Sequence, residues 1–370
     1  MKKMIRKSTV NLSYGNTNKI SLVKDFLSRY SDCVNQFIDL LWSINKFSGS
    51  FVERNLLDEI KVPLTFSAKQ SAAQTALHIV KSQRKKKNKV KPTFKGKSFD
   101  LDQRFIEIQE GKNSFDLWIR IRGIGSNSGE RKSLLLPTKK HKHFLKYNDW
   151  IMKKSIRLRI KDNGKLMADI FFEKELPKPK EEGKIVGLDC GYKKLVVLSN
   201  GQYIGTELEQ KCEKISKKKQ GSKAFKRALV ERNEYINREV KQIPFFELKA
   251  IIVENLKNVK HKTKGKIARK VMNKLQRWTY PYFLNRLALA CETSGVHVYR
   301  VNPAYTSQRC WQCGSIHKEN RNGEIFLCKE CGYTQDADFN ASRNILYRFL
   351  TGEAFGPCLK NSVEQEIRWL

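Results

Sequence analysis

Four cysteines near the C-terminal end have the spacing of a metal site: Cys310-x2-Cys313, fourteen intervening residues, then Cys328-x2-Cys331. Two such pairs suit tetrahedral Zn²⁺, with Zn–S distances of about 2.3 Å. Gly314 and Gly332 follow the second cysteine of each pair, where a tight turn bends. Four thiolates close the coordination sphere, so the expected zinc is structural and any catalysis must lie elsewhere. Carboxylates are the candidates. Asp189 ends the apolar run IVGL, Glu254 ends IIV, and Asp338 opens a helix-like run within ADFNASRNILYRFL. Singly, each has an ordinary explanation as a turn, a strand end or a helix cap. Together they are three acids at the ends of two core-type strands and the start of one helix. Two unit charges ~4 Å apart repel by roughly 4 kcal/mol at an effective dielectric of about 20. Such a cluster needs raised pKa values or divalent cations, and two Mg²⁺ ions bridging a scissile phosphate would meet that need. Asp336 is a reserve fourth carboxylate whose ordinary role is to cap the same helix.

The composition says what such a site would act on. The 370 residues carry 73 Lys plus Arg against 37 acidic side chains, a formal charge of +36. That excess implies a polyanionic partner, and nucleic acid fits it through phosphate neutralisation and counterion release. The basic N-terminus MKKMIRKSTVNLS has no apolar core, and no run approaches the ~18 apolar residues of a membrane span. A cytoplasmic protein is therefore expected. Nine cysteines, four paired and five scattered, indicate metal binding in a reducing compartment rather than a disulfide framework.

The elements that must position these groups follow from periodicity. Val10, Leu12 and Tyr14 alternate as a strand; Leu22, Phe26, Tyr30, Cys33, Phe37, Leu41 and Ile44 recur at helical spacing. Ser67 with Gln70 makes a capping-box pattern before a second helix. Residues 81–97 are almost saturated with charge, either a solvated linker or a nucleic-acid loop. Phe115, Leu117, Ile119 and Ile121 alternate, and Asp162-Asn163-Gly164 marks a hairpin, so a small antiparallel β-barrel interrupted by a helical insert is expected. Beyond Pro177 and Pro179 the grammar becomes α/β. Short apolar strands alternate with helices, one of them a long charged segment reaching about Val240.

GLDCGYKKLVVLSNG, IIVENLKNV, NPAYTSQRCWQCG and FLCKECGYTQDADFNASRNIL resemble, in order, the signature blocks of the TnpB family, transposon-encoded RNA-guided nucleases ancestral to compact type V CRISPR effectors. The resemblance spans roughly residues 183–350. It implies an α+β multidomain protein whose RNase H-like (RuvC) nuclease domain carries an inserted zinc ribbon. Asp189, Glu254 and Asp338 match the family's catalytic, Mg²⁺-binding acids, with Ser342 in place of the usual second alanine of the last block. The implied division is a wedge-like barrel over 1–15 and 98–180, and a helical recognition insert with its basic loop over 16–97. The nuclease domain would occupy 181–306 and 334–350, the ribbon 307–333 and a tail 351–370. Guide RNA and target DNA are the implied partners, with DNA hydrolysis leaving 5′-phosphate and 3′-hydroxyl ends. Two other readings stay open: an RNA-guided DNA-binding repressor without cleavage, and a guide-independent resolvase or transposase. Softer candidates are the basic stretch 257–270 and Arg343 for phosphate contact, Tyr305 and Gln308 by family position, and Trp278 with Tyr280 as packing residues.

Overall fold

The period-two runs of the N-terminal half form strands in the computed structural model, which describes residues 3–44, 52–111, 114–125, 132–256 and 280–355. The chain divides into two units, Lys3–Glu175 and the part from Leu176 onward. In the first, β1 (Lys3–Asn11) leads into helices α1 (Thr17–Ser43), α2 (Arg54–Glu59) and α3 (Phe66–Arg84). Then come β2 (Ser98–Leu101), β3 (Ile106–Glu110), β4 (Leu117–Arg122), β5 (Ser133–Thr138), a helical turn α4 (Lys142–Leu145), β6 (Ile151–Ile160) and β7 (Leu166–Glu175). The strands make two antiparallel sheets, β1-β7-β6-β2 and β3-β4-β5. Between β2 and β3 the chain turns from one sheet to the other, the Phe105 amide donating to the Asp102 carbonyl at 3.0 Å.

Helix α1 starts where Asn16 accepts from the Lys19 amide at 2.9 Å. It buries Val23, Phe26, Leu27, Tyr30, Val34, Phe37, Ile38 and Leu41 along one stripe. Against it α3 presents Ala68, Ala72, Ala73 and Ala76, small enough for close helix packing. The cap of α3 is Thr65, not Ser67 as the capping-box pattern suggests. The Thr65 hydroxyl accepts from the Ala68 amide at 3.4 Å and donates to the Gly123 carbonyl at 3.3 Å. That long-range bond decides between two residues that local pattern leaves equivalent.

The second unit holds β8 (Lys184–Asp189), β9 (Val196–Leu198), β10 (Tyr203–Ile204), α5 (Leu208–Ser216), α6 (Lys223–Glu239), β11 (Leu248–Glu254), α7 (Tyr280–Ser294) and β12 (His297–Val301). Three short strands, β13 (Arg321–Asn322), β14 (Ile325–Leu327) and β15 (Thr334–Asp336), precede the last helix, α8 (Ala337–Thr351). The main sheet runs β10-β9-β8-β11-β12, with β11 parallel to both β8 and β12. Parallel neighbours need crossovers, and the α5–α6 hairpin and α7 lie on those connections. The charged stretch expected as one helix is two, broken at residues 217–222, where Ser222 accepts from the Phe225 amide and starts α6 afresh. No helix among the described residues is long and apolar enough to cross a membrane.

Candidate active site and four-cysteine centre

Leu188 of β8 lies opposite Val253 of β11. The next residue on each strand is an acid, so Asp189 and Glu254 emerge side by side from the C-terminal ends of adjacent parallel strands. Ligand sites of open α/β sheets form at such ends. Asp338 arrives from α8, which packs on β8 at Gly187. A Cβ built there would lie 2.1 Å from the Ser342 carbonyl oxygen and 2.8 Å from the Leu346 amide, so only glycine admits the helix. A Cβ on Gly191 would stand 3.7 Å from Asp338 Oδ2, which places that carboxylate beside the turn after Asp189.

Burial first, then the carboxylates of Glu254 and Asp338, push the Asp189 carboxyl well above the usual range, against the opposing pull of Arg321 and the Cys190 amide. Burial raises Glu254 too, although the Thr306 hydroxyl and the charges of Arg348 and Arg321 oppose it. Asp338 is 8% exposed and accepts from Arg321 Nη2 at 2.7 Å. The three acids thus form an electrostatically strained group that a cation would relieve, and Arg321 supplies one positive charge. Their oxygens do not converge as closely as the four cysteine sulfurs do.

Several side chains brace this corner. Asp336 caps α8, its Oδ1 accepting from the Asp338 and Phe339 amides at 3.1 and 3.0 Å, while its Oδ2 pairs with Lys194. It is the helix cap and not a member of the buried trio. Thr306 donates to Glu254 from a turn in which Tyr305 adopts φ 63°, a left-handed conformation uncommon for a bulky residue. The Tyr305 carbonyl accepts from the Gln308 and Arg309 amides, both at 3.0 Å, closing that turn. Tyr280 is buried and donates to the backbone carbonyl of Glu254. Ser342 donates to the Phe339 carbonyl at 2.8 Å, which satisfies its hydroxyl inside the helix.

The cysteines form two turns of the same shape. Cys310 N–H donates to Ser315 and Gly314 N–H to Cys310; Cys328 N–H donates to Tyr333 and Gly332 N–H to Cys328, at 2.8–3.1 Å. Gly314 and Gly332 hold φ 79° and 71°, left-handed values that favour glycine. The four sulfurs lie within 4.8 Å of one another, with Cys310–Cys331 at 3.7 Å and Cys313–Cys328 at 3.6 Å. A tetrahedron with metal–sulfur bonds of about 2.3 Å has edges of about 3.8 Å, so the donor set fits zinc. These spacings are far beyond the roughly 2.05 Å of a disulfide bond.

This centre is tied to α8 by two asparagines. Asn340 accepts from the Trp311 amide at 3.0 Å and donates to the Arg309 carbonyl at 2.9 Å. Asn344 donates to the Arg309 and Thr306 carbonyls at 2.7 and 3.0 Å and accepts from Arg309 Nη1 at 3.0 Å. Both asparagines are fully buried. Arg343 lies over the Trp311 and Phe339 rings at 4.7 and 5.3 Å, a cation–π arrangement on the first turns of α8. Sequence reasoning overlooked Lys194, Thr306 and Arg321. The two asparagines did leave a signal, since they stand four apart inside a helix that disfavours them. Residues 257–270 and Trp278 lie outside the described residues.

Fold comparison gives the class. The chain shares a mixed α+β fold with a cryo-EM structure of a Cas12f1–sgRNA–target DNA complex, at TM-score 0.58 and 17% identity, covering 88% of this chain and 82% of that one. Sequence comparison then finds relatives for parts of the chain. Residues 280–345 match the family model for the Cas12f1-like TNB domain. A 72-residue segment is 47% identical to the CRISPR-associated endodeoxyribonuclease Cas12f1 of Sulfoacidibacillus thermotolerans, covering 19% of this chain and 17% of that protein. A 104-residue segment is 30% identical to a TnpB-like protein of Aquifex aeolicus, covering 27% of this chain and 33% of that one. Over these segments the chain is similar to TnpB-like and Cas12f1 proteins. The matched segments span a third or less of these curated relatives.

Proposed function

We propose that the protein is an RNA-guided DNA endonuclease in which Asp189, Glu254 and Asp338 are the catalytic carboxylates of an RNase H-like, RuvC-type domain. The observation that carries this is the meeting of three acids at two parallel strand ends and one helix start, with Asp189 and Glu254 both raised by burial. The endodeoxyribonuclease name of one relative and the RNA and target DNA in the neighbouring complex support the substrate class. Mg²⁺ bound by the trio would supply an activated water and charge neutralisation at the scissile phosphate. The chain's own residues set that site up. Thr306 fixes the Glu254 carboxylate, Asp336 with Lys194 fixes the start of α8, and Arg321 holds Asp338.

In this reading the four cysteines hold a structural zinc ribbon that anchors α8. The two antiparallel sheets act as a wedge-like barrel, and α1–α3 as the recognition insert. The protein would read backbone shape and a short motif beside the target, while guide pairing reads sequence.

The test is cleavage of matched plasmid DNA by protein carrying its RNA, with Mg²⁺ present. Asp189→Ala should abolish cutting and leave RNA binding unchanged. Intact DNA despite demonstrable target binding refutes the nuclease. Equal cutting after removal of the RNA refutes guiding, and cutting by the Asp189 variant refutes the trio.

A further inference from the structure

Six cations crowd the tip of the α5–α6 hairpin: Lys217, Lys218, Lys219, Lys223, Lys226 and Arg227, all exposed. No acidic residue occurs between Glu213 and Glu231. The same hairpin neutralises its stem, where Glu231 pairs with Lys214 at 2.6 Å and with Lys211 at 3.4 Å. Among the described residues the six tip cations have no ion pair. Three of them, Lys223, Lys226 and Arg227, sit in the first turns of α6, where the helix dipole is already positive and basic residues weaken the helix. A local rule broken at a defined place marks a functional constraint.

The tip is nonetheless ordered. Lys217 and Lys218 amides donate to the Glu213 and Ile215 carbonyls at 3.2 and 3.1 Å, and the Ser222 amide donates to Lys219 at 3.1 Å. Beneath it Cys212 and Ile215 of α5, with Ala228, Tyr235 and Ile236 of α6, are buried. The cations are therefore presented on a fixed support.

We propose that this tip is a clamp for the phosphodiester backbone of a nucleic acid. The one aromatic side chain of residues 217–227, Phe225, is half-buried and no large hydrophobic group there is exposed, so the surface offers mainly charge, to phosphates, rather than a platform for stacked bases. Lys223 and Arg227 are separated by a helical rise of about 6 Å, comparable to the roughly 7 Å axial advance of two nucleotides along one strand. Contact of this kind is independent of sequence. The proposal rests on the nucleic-acid reading above but not on the catalytic trio.

The test uses two variants, Lys217→Ala/Lys218→Ala/Lys219→Ala and Lys223→Ala/Lys226→Ala/Arg227→Ala, with Lys214→Ala from the paired stem as control. Probes are random-sequence single-stranded RNA and random-sequence duplex DNA, titrated over a range of salt. Each triple variant should weaken binding at least about tenfold at fixed moderate salt. It should also flatten the log–log salt slope by about two, given ~0.7–0.9 per phosphate contact. Loss confined to RNA or to DNA identifies which backbone is held, and both support the clamp. Unchanged slopes and affinities for both probes, in variants whose thermal unfolding matches wild type, overturn it. Wild-type DNA cleavage is scored separately, so failure of the nuclease reading is distinguishable from failure of the clamp.

Discussion

Gly187→Ala is a single methyl group that should separate the two halves of the proposed active site. The new Cβ would lie 2.1 Å from the Ser342 carbonyl oxygen, 2.8 Å from the Leu346 amide and 3.0 Å from Leu346 Cβ. Ordinary contact begins near 3.4 Å, so the gap at Ser342 must open by about 1.3 Å. Strand β8 is not free to retreat. Its Gly187 amide donates to Ser199 Oγ at 3.0 Å, and its carbonyl accepts from the Ser199 amide at 2.9 Å. Helix α8 must move instead, and Asp338 lies one turn before Ser342 on that helix. Overpacking typically costs about 1–3 kcal/mol. At ~2–4 °C per kcal/mol for a domain of this size, unfolding should fall by roughly 2–12 °C. A displacement of about 1 Å at reacting groups costs on the order of 10²-fold in rate. Single-turnover cleavage of matched DNA should therefore slow about a hundredfold at a temperature where the variant remains folded, with RNA binding retained. A variant with wild-type melting and a cleavage rate within about twofold of wild type would refute both the packing argument and the dependence of Asp338 on it.

Two further outcomes follow from the same corner. Asn340→Ala removes the acceptor of Trp311 N–H, while the Arg309 carbonyl keeps Asn344 as a donor, so the variant should be destabilised by about 1–3 kcal/mol through the one orphaned group. Chemical denaturation checks this, and a loss below about 0.5 kcal/mol would mean water replaces the asparagine. The folded pKa of Asp189 lies above its unfolded value of about 3.9, so the folded state binds this proton more tightly. That stabilisation is complete below the unfolded value and is lost as pH rises through the folded one. In chelator, wild type should lose stability across that window and Asp189→Asn should lose less; parallel curves from denaturant titrations at several pH values would count against the buried, mutually repelling trio.

Much of the candidate site was legible because buried parallel strands read as unbroken apolar runs, and the acid that ends such a run stands out. Asp189 and Glu254 were visible for that reason, and the paired cysteines by spacing alone. What stayed hidden were partners chosen by tertiary approach. Lys194, Thr306 and Arg321 come from turns or very short strands, where no periodicity reports which way a side chain points. The break between α5 and α6 was masked because lysines dominate both sides of it and leave no apolar period to interrupt. The choice of Thr65 over Ser67 as a cap depended on Gly123, nearly sixty residues away in sequence.

The cysteine centre and the carboxylates also prove to be one piece of structure. Arg321, which holds Asp338, belongs to β13, between the two cysteine pairs. Trp311, between Cys310 and Cys313, is bonded through its amide to Asn340, two residues beyond Asp338. Thr306, which fixes Glu254, is bonded through its carbonyl to Asn344 on the same helix. A metal that fixes the two cysteine turns would therefore constrain Asp338 from both sides without touching its carboxylate. The conspicuous motif thus acts at a distance, as the brace that lets a single aspartate at a helix start face two others across a repulsive gap.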